Sequence, residues 1–374
     1  MKLHGVELRR VSMPLVRPFR TSFGVETTRD ILLVRVEMED AGGAGEGWGE
    51  CVAMAEPRYS PEYVDGAQHV IEHFFVPPLL AAPELAADSV AGLLAVFEGH
   101  PMAKAAVETA VLDAELRAAG VSFAAHLGAV TDRVPAGVSI GITDDVETLL
   151  AQVAGYLDDG YLRIKLKIEP GTDVDRVRAV RERFGDDLLL QVDANAAYHV
   201  DDAEHLAALD EFGLLLIEQP LPPDDVAGHV VLATRLATPI CLDESVTSAA
   251  IATDVIARKA CSIVNIKAGR VGGYIESRRV HDVCATAGVP VWCGGMLETG
   301  LGRAANLALA ALPNFSLPGD TSASARYWET DLTEPFVLDA DGHIAVPTGP
   351  GLGVQPLPDV LAAVTTSTRW ITAP

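Results

Sequence analysis

The sequence predicts an α/β barrel joined to a smaller α+β unit, and three observations carry that reading. From about residue 134 onward, eight short apolar runs alternate with amphipathic helical stretches. Charged residues close four consecutive runs. The first hundred or so residues read differently, as strands and then helices.

The eight runs are Gly137-Val138-Ser139-Ile140, Leu162 to Ile168, Leu188 to Val192, Leu214 to Ile217, Ile240 to Leu242, Ile263 to Ile266, Val289 to Trp292 and Phe315 to Leu317. Strands alternating with helices indicate βα units and a parallel sheet, and eight in succession suggest a closed barrel. Before them, Val6 to Val11, Ile31 to Glu37 and Gly47 to Val52 read as a meander. Pro18 to Gly24 reads as a loop between the first two. The alanine-rich stretch Ala103 to Ala119 reads as a helix stopped by Gly120. After the last run, Phe336 to Leu338 and His343 to Val346 suggest a hairpin, and Pro347 to Gly353 a loop. This tail is expected to return to the first domain.

Composition narrows the function. A chain of 374 residues that is 49% hydrophobic can build a large core, so wholesale disorder is excluded. A formal charge of −24 argues against a nucleic-acid partner. No apolar run approaches a bilayer span and no signal-peptide core is visible, so no membrane partner is expected. Cys51, Cys241, Cys261, Cys284 and Cys293 form no close pair, which suits a reduced, cytoplasmic protein. An anionic substrate would need a local reversal of the field, from a divalent metal or buried lysines.

Asp193, Glu218, Asp243 and Lys267 each close an apolar run, spaced by about 25 residues, the length of one strand–helix unit. They therefore sit at corresponding ends of four consecutive strands and converge at the C-terminal mouth, where barrel enzymes work. One such acid alone could be a helix cap. Three in step cannot all ionise in a poorly solvated mouth without a cation. Oxygen-only ligation by three carboxylates suits Mg²⁺, with Mn²⁺ as a substitute. The scattered histidines show no zinc pattern.

In Arg163-Ile164-Lys165-Leu166-Lys167, the two lysines share one face of a strand while Ile164, Leu166 and Ile168 face the helices. Two close ammonium groups are expected to depress one another's pKa, giving a lysine able to act as a base. Lys165 and Lys167 lie on the second run and Lys267 on the sixth, diametrically opposed in an eight-strand barrel. A substrate held by the metal would have a lysine over each face of its α-carbon. Asn195, two past Asp193, and Glu244, next to Asp243, are candidate supports for these groups. The glycines of Gly294-Gly295-Met296 could admit close approach of a substrate. Pro318 to Ser322 could line the mouth. Phe19 to Gly24 is a candidate lid, with Phe19 and Phe23 apolar and Arg20 available for an anion.

The K-x-K pair at Lys165 and Lys167, Asp193-Ala194-Asn195, Glu218-Gln219-Pro220, Asp243-Glu244-Ser245 and Lys267 together resemble the enolase superfamily, in its muconate-lactonising subgroup. Trp48 to Cys51, Arg163 to Pro170, Val291 to Arg303 and Pro318 to Ser324 are similar to its o-succinylbenzoate synthase/N-succinylamino acid racemase branch. The resemblance implies a modified (β/α)7β TIM-like barrel over residues 126–322. It implies an α+β capping domain over 1–125, completed by 323–374. It implies Asp193, Glu218 and Asp243 as Mg²⁺ ligands and Lys167 and Lys267 as acid/base lysines, with Lys165 as electrostatic neighbour. Phe19, Arg20 and Phe23 would belong to a specificity loop, and Ser139, Gly294, Gly295 and Met296 would line the acyl side of the pocket. The implied chemistry is removal of a proton α to a carboxylate. One outcome is dehydration to o-succinylbenzoate, a step of menaquinone biosynthesis. The other is racemisation of N-succinylamino acids. Rival readings are dipeptide epimerase or muconate cycloisomerase, a Schiff-base aldolase, and a non-catalytic metal-binding scaffold. The partner is expected to be a small-molecule carboxylate and the protein a homo-oligomer.

Overall fold

The computed structural model describes residues 1–22, 24–40 and 43–373. The N-terminal sheet is built from β1 (Lys2–Thr21), β2 (Gly24–Asp40) and β3 (Gly43–Cys51), antiparallel in sequence order. Leu8 and Val34, partners across β1 and β2, are buried on one face of it, and Val11, Ile31 and Leu33 on the other. The Pro101–Ala119 helix packs on β3 so closely that a Cβ at Gly49 would stand 2.0 Å from the Ala106 carbonyl oxygen. That helix has proline in its first turn and ends at Gly120 in the left-handed conformation, φ 67°.

A short β4 (Arg133–Pro135) leads into the barrel, whose strands are β5 (Gly137–Ile140), β6 (Arg163–Lys167), β7 (Leu189–Asp193), β8 (Ile217–Glu218), β9 (Ile240–Leu242), β10 (Ile263–Ile266) and β11 (Val291–Cys293). They form one parallel sheet in sequence order. The eighth apolar run differs from expectation. Phe315 to Leu317 makes no ladder of its own, only a bridge from Phe315 to Val291, while Gly319 bridges Ala136. The Gly137 N–H donates to Gly319 O at 2.8 Å and the Asp320 N–H to Cys293 O at 2.8 Å, which joins β11 to β5. Pro313 and Pro318 flank the run and lack N–H donors, which limits how far it can pair. The result is a (β/α)7β barrel. Outward side chains such as Ile164 and Leu166 join the main core. Leu216, Cys241, Ile263 and Trp292 form a separate apolar plug.

Two other expectations are corrected. Of the expected loop Pro18 to Gly24, the stretch from Pro18 to Thr21 is strand and Gly24 opens the next strand. β1 runs on to Thr21, β2 begins at Gly24, and Phe19 pairs with Glu26 after a register shift past Pro14. Cross-strand pairing continues the hairpin to its tip, where a loop was expected. The expected tail hairpin also fails to form. β12 (His343–Ala345) pairs with β4 instead, and residues 336–338 are not a strand. The tail then runs through a Pro358–Val364 helix to β13 (Thr365–Thr372), which adds to the N-terminal sheet antiparallel to β1.

Candidate active site

Strand alternation puts Arg163, Lys165 and Lys167 inside the barrel, and the parallel register aligns Lys167 with Asp193 and Asp193 with Glu218. Asp193, Glu218 and Asp243 are all fully buried at the C-terminal ends of β7, β8 and β9. Lys267 follows β10 directly. Three acid-bearing strands therefore separate Lys167 from Lys267, and both lysines face one cavity.

The acids are paired with cations throughout. Lys165 Nζ lies 3.2 Å from Asp193 Oδ2, 2.9 Å from Glu218 Oε2 and 2.7 Å from Asp320 Oδ2. Lys167 Nζ donates to Asp193 Oδ2 and to Asn195 Oδ1, both at 2.6 Å. Lys267 Nζ donates to Asp243 Oδ2 at 2.7 Å and to Tyr59 Oη at 3.2 Å, and Arg270 also pairs with Asp243. Asn265 Nδ2 donates to Glu218 Oε1 at 2.7 Å. Asn195 Nδ2 donates to Glu244 Oε1 at 2.9 Å, linking the Lys167 side of the site to β9.

Electrostatics follow from this packing. Burial pushes the Glu218 carboxyl well above its ordinary range, and the neighbouring charge of Asp193 adds to it. Burial acts the same way on Asp193 and Asp243, but their cations win. Lys167 and Lys165 hold Asp193 low, and Arg270 and Lys267 hold Asp243 low. The expected depression of Lys165 by its lysine neighbour is corrected. Burial does favour the neutral amine, yet Asp320, Glu218 and Asp193 outweigh it and keep Lys165 charged well above the usual lysine range. Lys267 is likewise held high, against burial, by Asp243 and Tyr59. Beneath them, Lys165 Nζ sits 4.7 Å from the Trp292 ring centroid, so the apolar plug also contributes a ring face.

The residues fit a hard divalent cation in their donor chemistry. Asp193, Glu218 and Asp243 offer only oxygen, and one ammonium, Lys165, already touches the first two. Among the described residues, no three His, Cys, Asp or Glu side chains stand as a ready ligand cluster, since lysines and Arg270 take up these oxygens.

Of the other candidates, Phe19, Ser139, Gly295 and Met296 wall the cavity. Arg20 does not, because its guanidinium turns outward to Asp144 at 3.2 Å. Gly294 does not wall it either. A Cβ there would stand 2.6 Å from Lys267 Cε, so this glycine makes room for the lysine. Phe23 lies outside the described residues. Sequence reasoning set Asp320 at the mouth, within Pro318 to Ser322, where it does line the cavity, but gave no role to Asn265, Tyr59 or Arg270. Strand period marks Asn265, two before Lys267 and on the same face. Asp320 ends the eighth run as the other acids end theirs. Tyr59 comes from the N-terminal unit and carries no signal.

A domain model for the mandelate racemase/muconate lactonizing enzyme N-terminal domain matches residues 4–128, and one for enolase C-terminal-like domains matches residues 148–360. The chain belongs to the enolase superfamily, in its mandelate racemase/muconate lactonizing enzyme group. It is 67% identical to an N-succinylamino acid racemase of an Amycolatopsis species, covering 99% of this chain and 100% of that one. It is 48% identical to an o-succinylbenzoate synthase of Geobacillus kaustophilus, covering 94% and 93%. A crystal structure of an enolase superfamily member from Listeria innocua superposes with TM-score 0.94 at 38% identity, over 100% of this chain and 99% of that one. Among the described residues, no helix is long and apolar enough to cross a membrane.

Proposed function

We propose that this chain removes the proton α to the carboxylate of N-succinylamino acids and racemises them, and that it also dehydrates the cyclohexadiene precursor to o-succinylbenzoate. The observation that carries the reading is the pair of lysines, Lys167 and Lys267, facing one cavity from either side of three acid-bearing strands. The high identity to a relative named for the racemase, and to another named for the synthase, selects these substrates over those of the rival enzymes.

Asp193, Glu218 and Asp243 would hold Mg²⁺, which generally serves this superfamily and would supply Lewis-acid charge to the substrate carboxylate. Lys167 takes the α-proton from one face. Lys267, held as an ammonium by Asp243, delivers a proton to the other face, which inverts the centre. In the opposite direction the two lysines exchange roles. In dehydration Lys167 returns its proton to the departing hydroxyl, and Lys267 stays cationic beside the developing anion. Asn195 positions Lys167, and Tyr59 positions Lys267.

The test is α-proton exchange in D2O. With Mg²⁺ present, N-succinyl-L-methionine should lose its α-proton signal and its optical rotation together. EDTA should stop both, and restored Mg²⁺ should revive them. No exchange in the metal-loaded protein would sink the reading.

A further inference from the structure

Arg326 is a buried cation without a counter-ion. It is 8% exposed, yet among the described residues no carboxylate lies within salt-bridge distance of it. Its Nη2 donates to the Ser139 carbonyl at 2.8 Å, while its Nε finds no hydrogen-bond partner. The guanidinium is instead surrounded by ring faces. It lies 5.6 Å from the Phe19 centroid, 5.1 Å from Tyr156 and 4.9 Å from Tyr327. Ring faces attract a cation but do not replace a lost anion or the missing partner of an N–H. The buried charge is thus only partly compensated.

Its place is informative. Phe19, Tyr327 and Ser139, three of its neighbours, also wall the active-site cavity. The Ser139 hydroxyl, 3% exposed, has no hydrogen-bond partner either. Two unsatisfied groups therefore stand together, the hydroxyl of a wall residue and a guanidinium directly behind that wall. The carboxylates of the site lie elsewhere, and their cations are Lys165, Lys167, Lys267, Arg163 and Arg270. In a chain of net charge −24, this is a local positive spot that no carboxylate pairs among the described residues.

We propose that Arg326, with the Ser139 hydroxyl, selects substrates carrying a second carboxylate remote from the reacting carbon, and positions that carboxylate. The proposal deepens the reading above, since a succinyl chain bears such a group and an uncharged acyl chain does not. Arg326 acts on binding and orientation, not on the proton itself. A charge pair across a partly buried wall is worth about tenfold in affinity.

The test compares N-succinyl-L-methionine with N-succinamoyl-L-methionine, which keeps the shape and replaces the remote carboxylate by an amide. In the wild-type protein with Mg²⁺, kcat/KM should favour the succinyl compound about tenfold, mostly through KM. Arg326→Met should collapse that preference toward one, and Arg326→Lys, which keeps the charge, should retain most of it. A structural role alone would lower both substrates equally and leave the ratio intact, which overturns the proposal. If Arg326→Met does not fold, the wild-type ratio still decides, because no preference for the charged ligand refutes it. Turnover of neither compound refutes the racemase reading instead. Calorimetric affinities for the same two ligands then carry the test of Arg326.

Discussion

Lys167 and Lys267 differ in surroundings more than in chemistry. Lys167 shares Asp193 with Lys165 and leans on the amide oxygen of Asn195, while Lys267 is pinned by Asp243 and Tyr59. In the proposed mechanism Lys167 takes the proton and Lys267 gives one to the opposite face. Lys167→Ala should reduce α-proton exchange by about 10²–10⁴-fold, the usual worth of a positioned base. The circular dichroism spectrum should stay that of the parent, and retention of full exchange would remove Lys167 from the mechanism. Gly294 shows how a residue can matter at this scale without touching substrate, because any side chain there would meet Lys267.

At the scale of elements, buried carboxylates tie helix starts to other parts of the chain. Glu62 accepts from the Met102 and Ala103 N–H groups at 2.8 Å, at the start of the Pro101–Ala119 helix. Glu108, within that helix, accepts from the Ile275 N–H at 3.1 Å, at the start of the Tyr274–Ala287 helix of the barrel. Glu50 of β3 accepts from the Thr299 N–H and hydroxyl and from the Gly302 N–H, at the start of the Gly300–Ala310 helix. The Glu108 and Glu50 contacts use the helix N-terminal field to hold the N-terminal unit on the barrel, and the Glu62 contact does the same work within that unit. Burial nonetheless pushes each of the three carboxyls up to about 7. Their folded pKa exceeds the ordinary 4.5, so the folded state keeps protons that the unfolded chain releases. Their contribution is therefore greatest below pH 4.5 and is lost as pH rises toward about 7. Glu108→Gln should flatten the fall in thermal midpoint across that window, by the equivalent of about 1–3 kcal/mol. Parallel wild-type and variant curves would contradict this. Gly49 is a second element-level test. Gly49→Ala forces β3 away from the Pro101–Ala119 helix and should cost about 1–3 kcal/mol in urea unfolding.

At the scale of the whole molecule, the chain closes on itself twice. Gly319 and Asp320 join β11 to β5 and complete the barrel, and β13 returns to cover the open edge of β1. An uncovered strand of that length is a template for other chains. Truncation after Val364 should therefore lower the thermal midpoint and raise light scattering on storage, whereas a truncated chain as stable and monodisperse as its parent would contradict that role. The cavity needs both halves, since Phe19 and Tyr59 arrive from the N-terminal unit while the lysines arrive from the barrel.

The sequence by itself determined the barrel, the strand ends and the convergence of Asp193, Glu218, Asp243 and Lys267, because strand and helix periods place side chains by local geometry. Lys165 and Lys167 were legible for the same reason, as neighbours two apart on a strand. Other features depend on partners distant in the chain, which no local period encodes. Tertiary structure alone decided that Pro18 to Thr21 continues β1, that Arg20 faces Asp144, and that β12 pairs with β4. It also decided the charge of Lys165, which its nearest lysine in sequence would lower and which Asp320, far along the chain, helps to raise. Pairing across space, with desolvation, sets those outcomes.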